Sequence, residues 1–282
     1  KSDTGHANAS GDTYVAWNWD MGADSTPTGF GCVKYRGIGQ VGQSVTGVGF
    51  QPDMVWIKDR SSAYNGSIND VLGGTGAGTH LYTNSTAAQG DNSPYHNFQS
   101  FDQDGFTIGK TSNATNMNSH TNDNYVAWCW NMGGTTATNT TGTITSTVRA
   151  NPSKGQSIIQ WTGTGGTGTV GTGLTSDAEL VIVKGRTTTD NWSASTTVID
   201  GSVDGNYLNA TGTFEDWSAR IDPSASTSNT IGVYNWDDGN KSGATMVAYA
   251  FHSVSGYSKI GSYSGTGGTG NVTTVGFRPA FL

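Results

Sequence analysis

The chain has 282 residues, of which 12% are charged and 33% hydrophobic, with 42 Gly and a formal charge of −7. Its surface must therefore be built largely of Ser, Thr, Asn and Gly rather than of ions. Two Glu and six Leu argue against helix as a main ingredient, a 10% aromatic content at low net charge excludes disorder, and 14 basic residues with no cluster of more than two exclude a nucleic-acid surface.

Taken in chain order, the elements predicted are strands joined by glycine-rich turns. The chain begins at Lys1 without Met or a signal-like apolar segment, as expected of a processed chain or a fragment. A first strand, YVAWNW at Tyr14–Trp19, is followed by an aromatic residue and glycine loop, Tyr35 with Gly37, Gly39 and Gly42. GFQPDMVWIKDR at Gly49–Arg60 carries a continuous apolar strand, and Asp102–Phe106 reads as an Asp-Gly turn feeding another. YVAWCW at Tyr125–Trp130 then repeats the first strand. Segment 135–154 is Thr-rich and reads as a linker. After it the series recurs: Trp161 with Gly163, Gly165 and Gly168; LTSDAELVIVKGR at Leu174–Arg186; TIGVY at Thr230–Tyr234; MVAYAF at Met246–Phe251. It opens again with Tyr263, Gly265, Gly267 and Gly270 and with GFRPAFL at Gly276–Leu282.

These markers predict the tail of one repeat over 1–28, a complete unit over 29–134, the linker over 135–154, a second unit over 155–256 and the start of a third over 257–282. Within a unit the period is two, with Val126, Trp128 and Trp130 on one face of a strand and Tyr125, Ala127 and Cys129 on the other. The bulky face is expected to fill a core between two sheets and the alanine face to allow a close approach. The fold class predicted is all-β, as tandem antiparallel β-sandwich repeats of jelly-roll type; a propeller would show a shorter period. The partial end units are expected either to reflect a longer repetitive chain or to complement each other between subunits, head to tail.

Most of the chemistry on offer has a structural explanation. The three glycine loops match G-x-G-x-x-G, but strand and turn residues follow each, where a phosphate cradle needs a helix N-terminus. A hairpin whose glycines take positive φ fits better. Glycosidase chemistry needs two carboxylates at a fixed separation. Glu179 and Glu215 are not so spaced, and Asp102 with Asp104 and Asp237 with Asp238 sit in turns beside Gly105 and Gly239. No complete calcium loop occurs. His6, His80, His96, His120 and His252 are isolated, so neither a metal nor a cofactor is expected, and no catalytic residue is assigned. Two Cys exclude a disulfide scaffold, and Cys32 and Cys129 are expected as separate thiols, a bond between first and last strands being the alternative. Lys58 with Arg60 and Lys184 with Arg186 read as solvated strand ends. Leu180–Val183, the longest aliphatic run, is far short of the roughly 20 residues of a membrane span. Tyr64, Tyr95 and Trp192 remain as loop aromatics that could stack on sugar rings, with strand-end core as their plainer reading.

GFQPDMVWIKDR, HLYTNSTAAQ at 80–89, SFDQDGFTIG at 100–109 and NYVAWCWNMGG at 124–134 resemble a repeat of virion proteins of marine bacteriophages. SGYSKIGSYSGTG and GFRPAF, within 255–281, resemble its continuation; the second unit diverges, with LTSDAE in place of GFQPDM. The resemblance implies a lectin-like (concanavalin-like) sandwich and a tail-fibre-like or capsid-surface component located in the virion, hence extracellular. It implies self-association, contact with other virion proteins and attachment to host-surface glycans, and brings no catalytic residues. The rivals are a bacterial carbohydrate-binding adhesin or extracellular filament subunit, and a glycan-degrading tailspike enzyme.

Overall fold

A computed structural model describes residues 9–19, 29–40, 42–90, 97–109, 117–118, 122–217, 219–225 and 229–279. Strands dominate as expected, and the one α-helix among the described residues, α1 (Asp237–Asn240), has four residues. No helix there is long and apolar enough to cross a membrane.

The first body is β-sandwich-like. One sheet runs in the order β2 (Phe30–Arg36), β10 (Asn124–Trp130), β4 (Met54–Asp59), β5 (Ser67–Asp70), β7 (Leu81–Tyr82), and the other in the order β3 (Gln43–Thr46), β9 (Gly105–Gly109), β8 (Asn97–Asp102), β6 (Gly76–Ala77). All their pairings are antiparallel. Val45, Phe98, Phe106 and Ile108 meet Val55, Ile57, Tyr125, Ala127 and Cys129 between the sheets.

That core reverses the expected orientation of β10. The aromatic rings of Phe98 and Phe106, 5.7 Å apart, already occupy the gap, so the opposing strand must offer small side chains, Ala127 and Cys129. The bulky face of Trp128 and Trp130 turns instead to a larger cluster shared along the chain. Cys32 lies opposite Trp128 and Cys129 opposite Gly31, so the two thiols point to opposite faces and both are free.

The second body repeats this plan at larger size. Its main sheet is β11 (Thr136–Asn139), β12 (Ser146–Asn151), β13 (Gln156–Thr162), β21 (Thr245–Phe251), β15 (Leu180–Gly185), β16 (Ser193–Thr196), β17 (Asp204–Tyr207), β18 (Glu215–Asp216), facing β14 (Gly168–Gly171), β20 (Thr230–Val233) and β19 (Ile221–Asp222). Ala248 and Ala250 of β21 face this body's own core with Val170, Ile221 and Ile231. Segment 135–154 is therefore not a linker: its alternating Thr and apolar residues pair as the β11–β12 hairpin at the sheet edge, and Arg149 of β12 reaches back to Asp53 of the first body at 2.6 Å.

The two end segments meet within the chain. β1 (Thr13–Trp19) pairs antiparallel with β22 (Ser258–Ser264) in a two-stranded sheet. Its register matches two other pairs: Tyr14 faces Tyr263 and Trp19 faces Ser258, as Tyr125 faces Tyr35 and Trp130 faces Phe30, and as Met246 faces Trp161 and Phe251 faces Gln156. The corresponding last aromatics converge, Trp19 packing edge-on against Trp130 at 5.8 Å and Phe251 at 5.9 Å. Gln156 ties the strand starts together, its Nε2 donating to the Gly29 and Asn131 carbonyls and its Oε1 accepting from the Tyr257 hydroxyl.

The middle glycine of each sequence loop, Gly39, Gly165 and Gly267, has φ of 64°, 71° and 68°, the left-handed turn that a hairpin needs. A harsher requirement falls on Gly133, where β10 leaves the first body. Its φ is 95°, and a Cβ there would stand 2.0 Å from the Ala150 carbonyl oxygen. Gly133→Ala is expected to cost about 3 kcal/mol, from positive φ and forced backbone displacement together, read as a lowered urea midpoint.

Candidate functional site

Where the three equivalent strand pairs face one another, their bulky residues line a cleft of about 440 Å³, open to solvent and walled almost wholly by carbon. β1 contributes Trp17 and Trp19; β4 contributes Met54 and Trp56; β15 contributes Leu180 and Ile182. Trp130, Tyr249 and Phe251 form its floor, with Thr83 and Leu208 at matching places after β7 and β17. Alternation puts each pair there: residues two apart in a strand share a face.

Beside this cleft the two bodies are joined by a buried polar network. Arg186, just after β15, makes a bidentate pair with Asp70 of β5, both N–O distances being 2.7 Å, with the side chains 5% and 1% exposed. Its remaining donors go to Gln160 and Gln89, while the Tyr249 hydroxyl donates to Asp70 at 2.7 Å. Burial works against the Arg186 charge, but Asp70 and Tyr249 outweigh it and hold the guanidinium above its ordinary value. Gly73 makes the approach possible, since a Cβ there would lie 2.7 Å from an Arg186 nitrogen. Lys184 is buried too, donating to the Thr86 and Thr188 carbonyls. Lys184 and Arg186 are thus interface residues rather than solvated strand ends. The first-body counterparts fit the expectation better: Lys58 is half-buried and Arg60 exposed.

The sugar-stacking candidates fare differently. Trp192 is fully buried, its indole N–H donating to the Tyr82 carbonyl of the other body at 2.8 Å; it is a wall of the cleft, not a loop platform. Tyr64 is half-buried and its carbonyl accepts from Lys58. Tyr95 lies outside the described residues, as do His6, His96 and His120. The turn carboxylates serve their turns: Asp104 accepts from the Gly47 and Gly49 amides, and Asp102 from Ser100 and Thr107. Glu179 accepts from the Ser253 amide and hydroxyl. Among the described residues no three His, Cys, Asp or Glu side chains are grouped to hold a metal.

Sequence reasoning passed over a surface cluster in the second body. Trp236, 46% exposed, rests on the Arg220 guanidinium at 3.9 Å, with Trp217 at 4.9 Å and Tyr207 at 5.5 Å around the same cation. Asp238 of α1 fixes Arg220 from the side at 3.1 Å. The Asp237–Asp238 pair marked this turn in the sequence, but nothing there brought Tyr207 and Trp217 to it.

His80, 2% exposed and edge-on to Tyr82 at 4.7 Å, sits where β7 joins the two bodies. Burial lowers its pKa from 6.5 to about 4. Between those values the unfolded chain binds a proton that the folded one refuses, so stability is expected to fall as pH drops from 6.5 towards 4, by up to about 3 kcal/mol. Urea midpoints measured across that window, in wild type and His80→Phe, check it: the wild type should lose its excess pH slope when the imidazole is removed.

Residues 25–282 match the family model described as Domain of unknown function (DUF7483). No curated protein and no solved structure matches the chain.

Proposed function

The chain belongs to the DUF7483 family, and we propose that it is a structural protein of a bacteriophage virion, located in a tail fibre, tail appendage or capsid-surface fibre, that contributes to assembly and host-surface attachment. On this reading the sandwich bodies are tandem repeats of jelly-roll, lectin-like type. The observation that carries it is the shared register of the three strand pairs around one apolar cluster, which turns successive sequence repeats into a single stiff body. The buried Asp70–Arg186 pair supports the same use, since it fixes the relative placement of the bodies. Its partners would be copies of itself and other virion proteins. Mass spectrometry of purified particles, with this chain located in the assembly's density, is the test: many ordered copies on a tail or surface appendage are expected, and absence from the particles overturns the reading.

A second reading, a carbohydrate-binding adhesin or filament subunit, is favoured by Trp236. An exposed indole held flat by Arg220 presents the face on which a sugar ring stacks. Glycan-array binding lost in Trp236→Ala, with the thermal midpoint unchanged, would support it; no binding to any glycan or host cell removes both this reading and the attachment part of the first.

A further inference from the structure

β1 is bonded on one side only. Among the described residues its sheet consists of β1 and β22, whereas the strands that match it in register, β10 and β21, are each paired on both sides, with β2 and β4 and with β13 and β15. The missing neighbour is therefore the counterpart of β4 and β15. In the two bodies that neighbour sets Met54 opposite Trp130 and Trp56 opposite Trp128, and Leu180 opposite Phe251 and Ile182 opposite Tyr249. Beside Trp19 and Trp17 no such pair of side chains stands.

The cleft is the second sign of the same gap. Its walls include Met54 and Trp56 from one body, Leu180 and Ile182 from the other, and Trp17 and Trp19 from β1. A third pair of apolar side chains, two residues apart on a strand beside β1, would enter the space that is open. Strand composition agrees. An edge strand is normally guarded by charge or proline, and the outer strands β2 and β22 carry Lys34, Arg36 and Lys259. β1, TYVAWNW, carries neither charge nor proline. It has the sequence of a central strand. Phe281 and Leu282, which match Met54 and Val55 in the sequence repeat, lie outside the described residues, and the positions of Trp56, Ile57 and Lys58 have no counterpart among the 282.

We propose that the free edge of β1 and the aromatic cleft together form a strand-accepting site, whose ligand is an extended segment of another polypeptide with large apolar residues two apart, of the type Met54-Val55-Trp56-Ile57-Lys58. The segment pairs antiparallel with β1 through main-chain hydrogen bonds, and its two inward side chains fill the cleft. Recognition is by strand addition, affinity coming from the backbone ladder and selectivity from the pockets for alternate residues.

The whole chain, titrated with a labelled peptide of sequence GFQPDMVWIKDR, tests this by fluorescence anisotropy. Saturable one-site binding is expected, weakened at least tenfold when the peptide carries M54E and W56E. Two further peptides, N-methylated at alternate positions, report the geometry without altering the protein: an added strand bonds through one edge, so one series should bind and the other fail. Trp17→Ala in the protein should weaken binding at least fivefold. No saturable binding, equal binding of the glutamate peptide, or equal binding of both N-methylated series overturns the proposal, as does displacement of a cleft-bound apolar dye by a fatty acid but not by the peptide.

Discussion

Arg186→Ala is expected to lower stability by about 3–5 kcal/mol, the cost of leaving one member of a buried ion pair without its partner. Asp70 would remain 1% exposed, with only the Tyr249 hydroxyl and the Leu72 and Gly73 amides to hold its charge. Gln160 and Gln89 would lose their donors as well. Guanidinium unfolding of the variant measures the loss. The pair's own contribution is a different quantity, because desolvating two charges consumes most of their attraction. Asp70→Leu combined with Arg186→Met should therefore recover most of what Arg186→Ala removes. A single substitution costing under about 1 kcal/mol would mean that the network is hydrated and does not fix the two bodies to each other.

The strand content, the strand pairs and their matching register were legible because each depends on local alternation and on copied sequence. YVAWCW and MVAYAF needed no tertiary information to be recognised as one element. Which face of that element turns inward was not legible. Period two separates Trp128 and Trp130 from Ala127 and Cys129, but the choice between faces depends on the volume already taken by Phe98 and Phe106, which lie far off in sequence. The Thr-rich segment misled for a related reason: Thr is at home in strands as well as in loops, and Arg149 finds Asp53 only after folding. Lys184 and Arg186 looked solvated because charge in a strand end is usually exposed, and the partner that overrides the rule, Asp70, is 116 residues away. The cleft was beyond reach for the same reason, since its walls come from three separate strand pairs.

Trp192→Ala is the second large effect, and it separates packing from recognition. Complete burial and a loss of this volume predict a cost of about 3–5 kcal/mol, with the cleft enlarged rather than filled. Two contacts between bodies go with it, the hydrogen bond from the indole N–H to the Tyr82 carbonyl and the stacking on Tyr249 at 6.4 Å. Trp192→Phe keeps most of the ring and loses the N–H, leaving the buried Tyr82 carbonyl unpaired by the indole, so about 1–2 kcal/mol is expected. Thermal and denaturant unfolding of the two variants gives the ordering. Loss of glycan binding in Trp192→Ala would consequently report a weakened core, since no sugar can touch a side chain that solvent does not reach. Trp236→Ala makes the opposite pattern: its indole is 46% exposed, so stability should move little, and any binding lost there belongs to the surface. If Trp192→Ala proved as stable as wild type while binding disappeared, the indole would have to swing outward from its place between the two bodies, and the assignment of Trp192 to the cleft wall would fail.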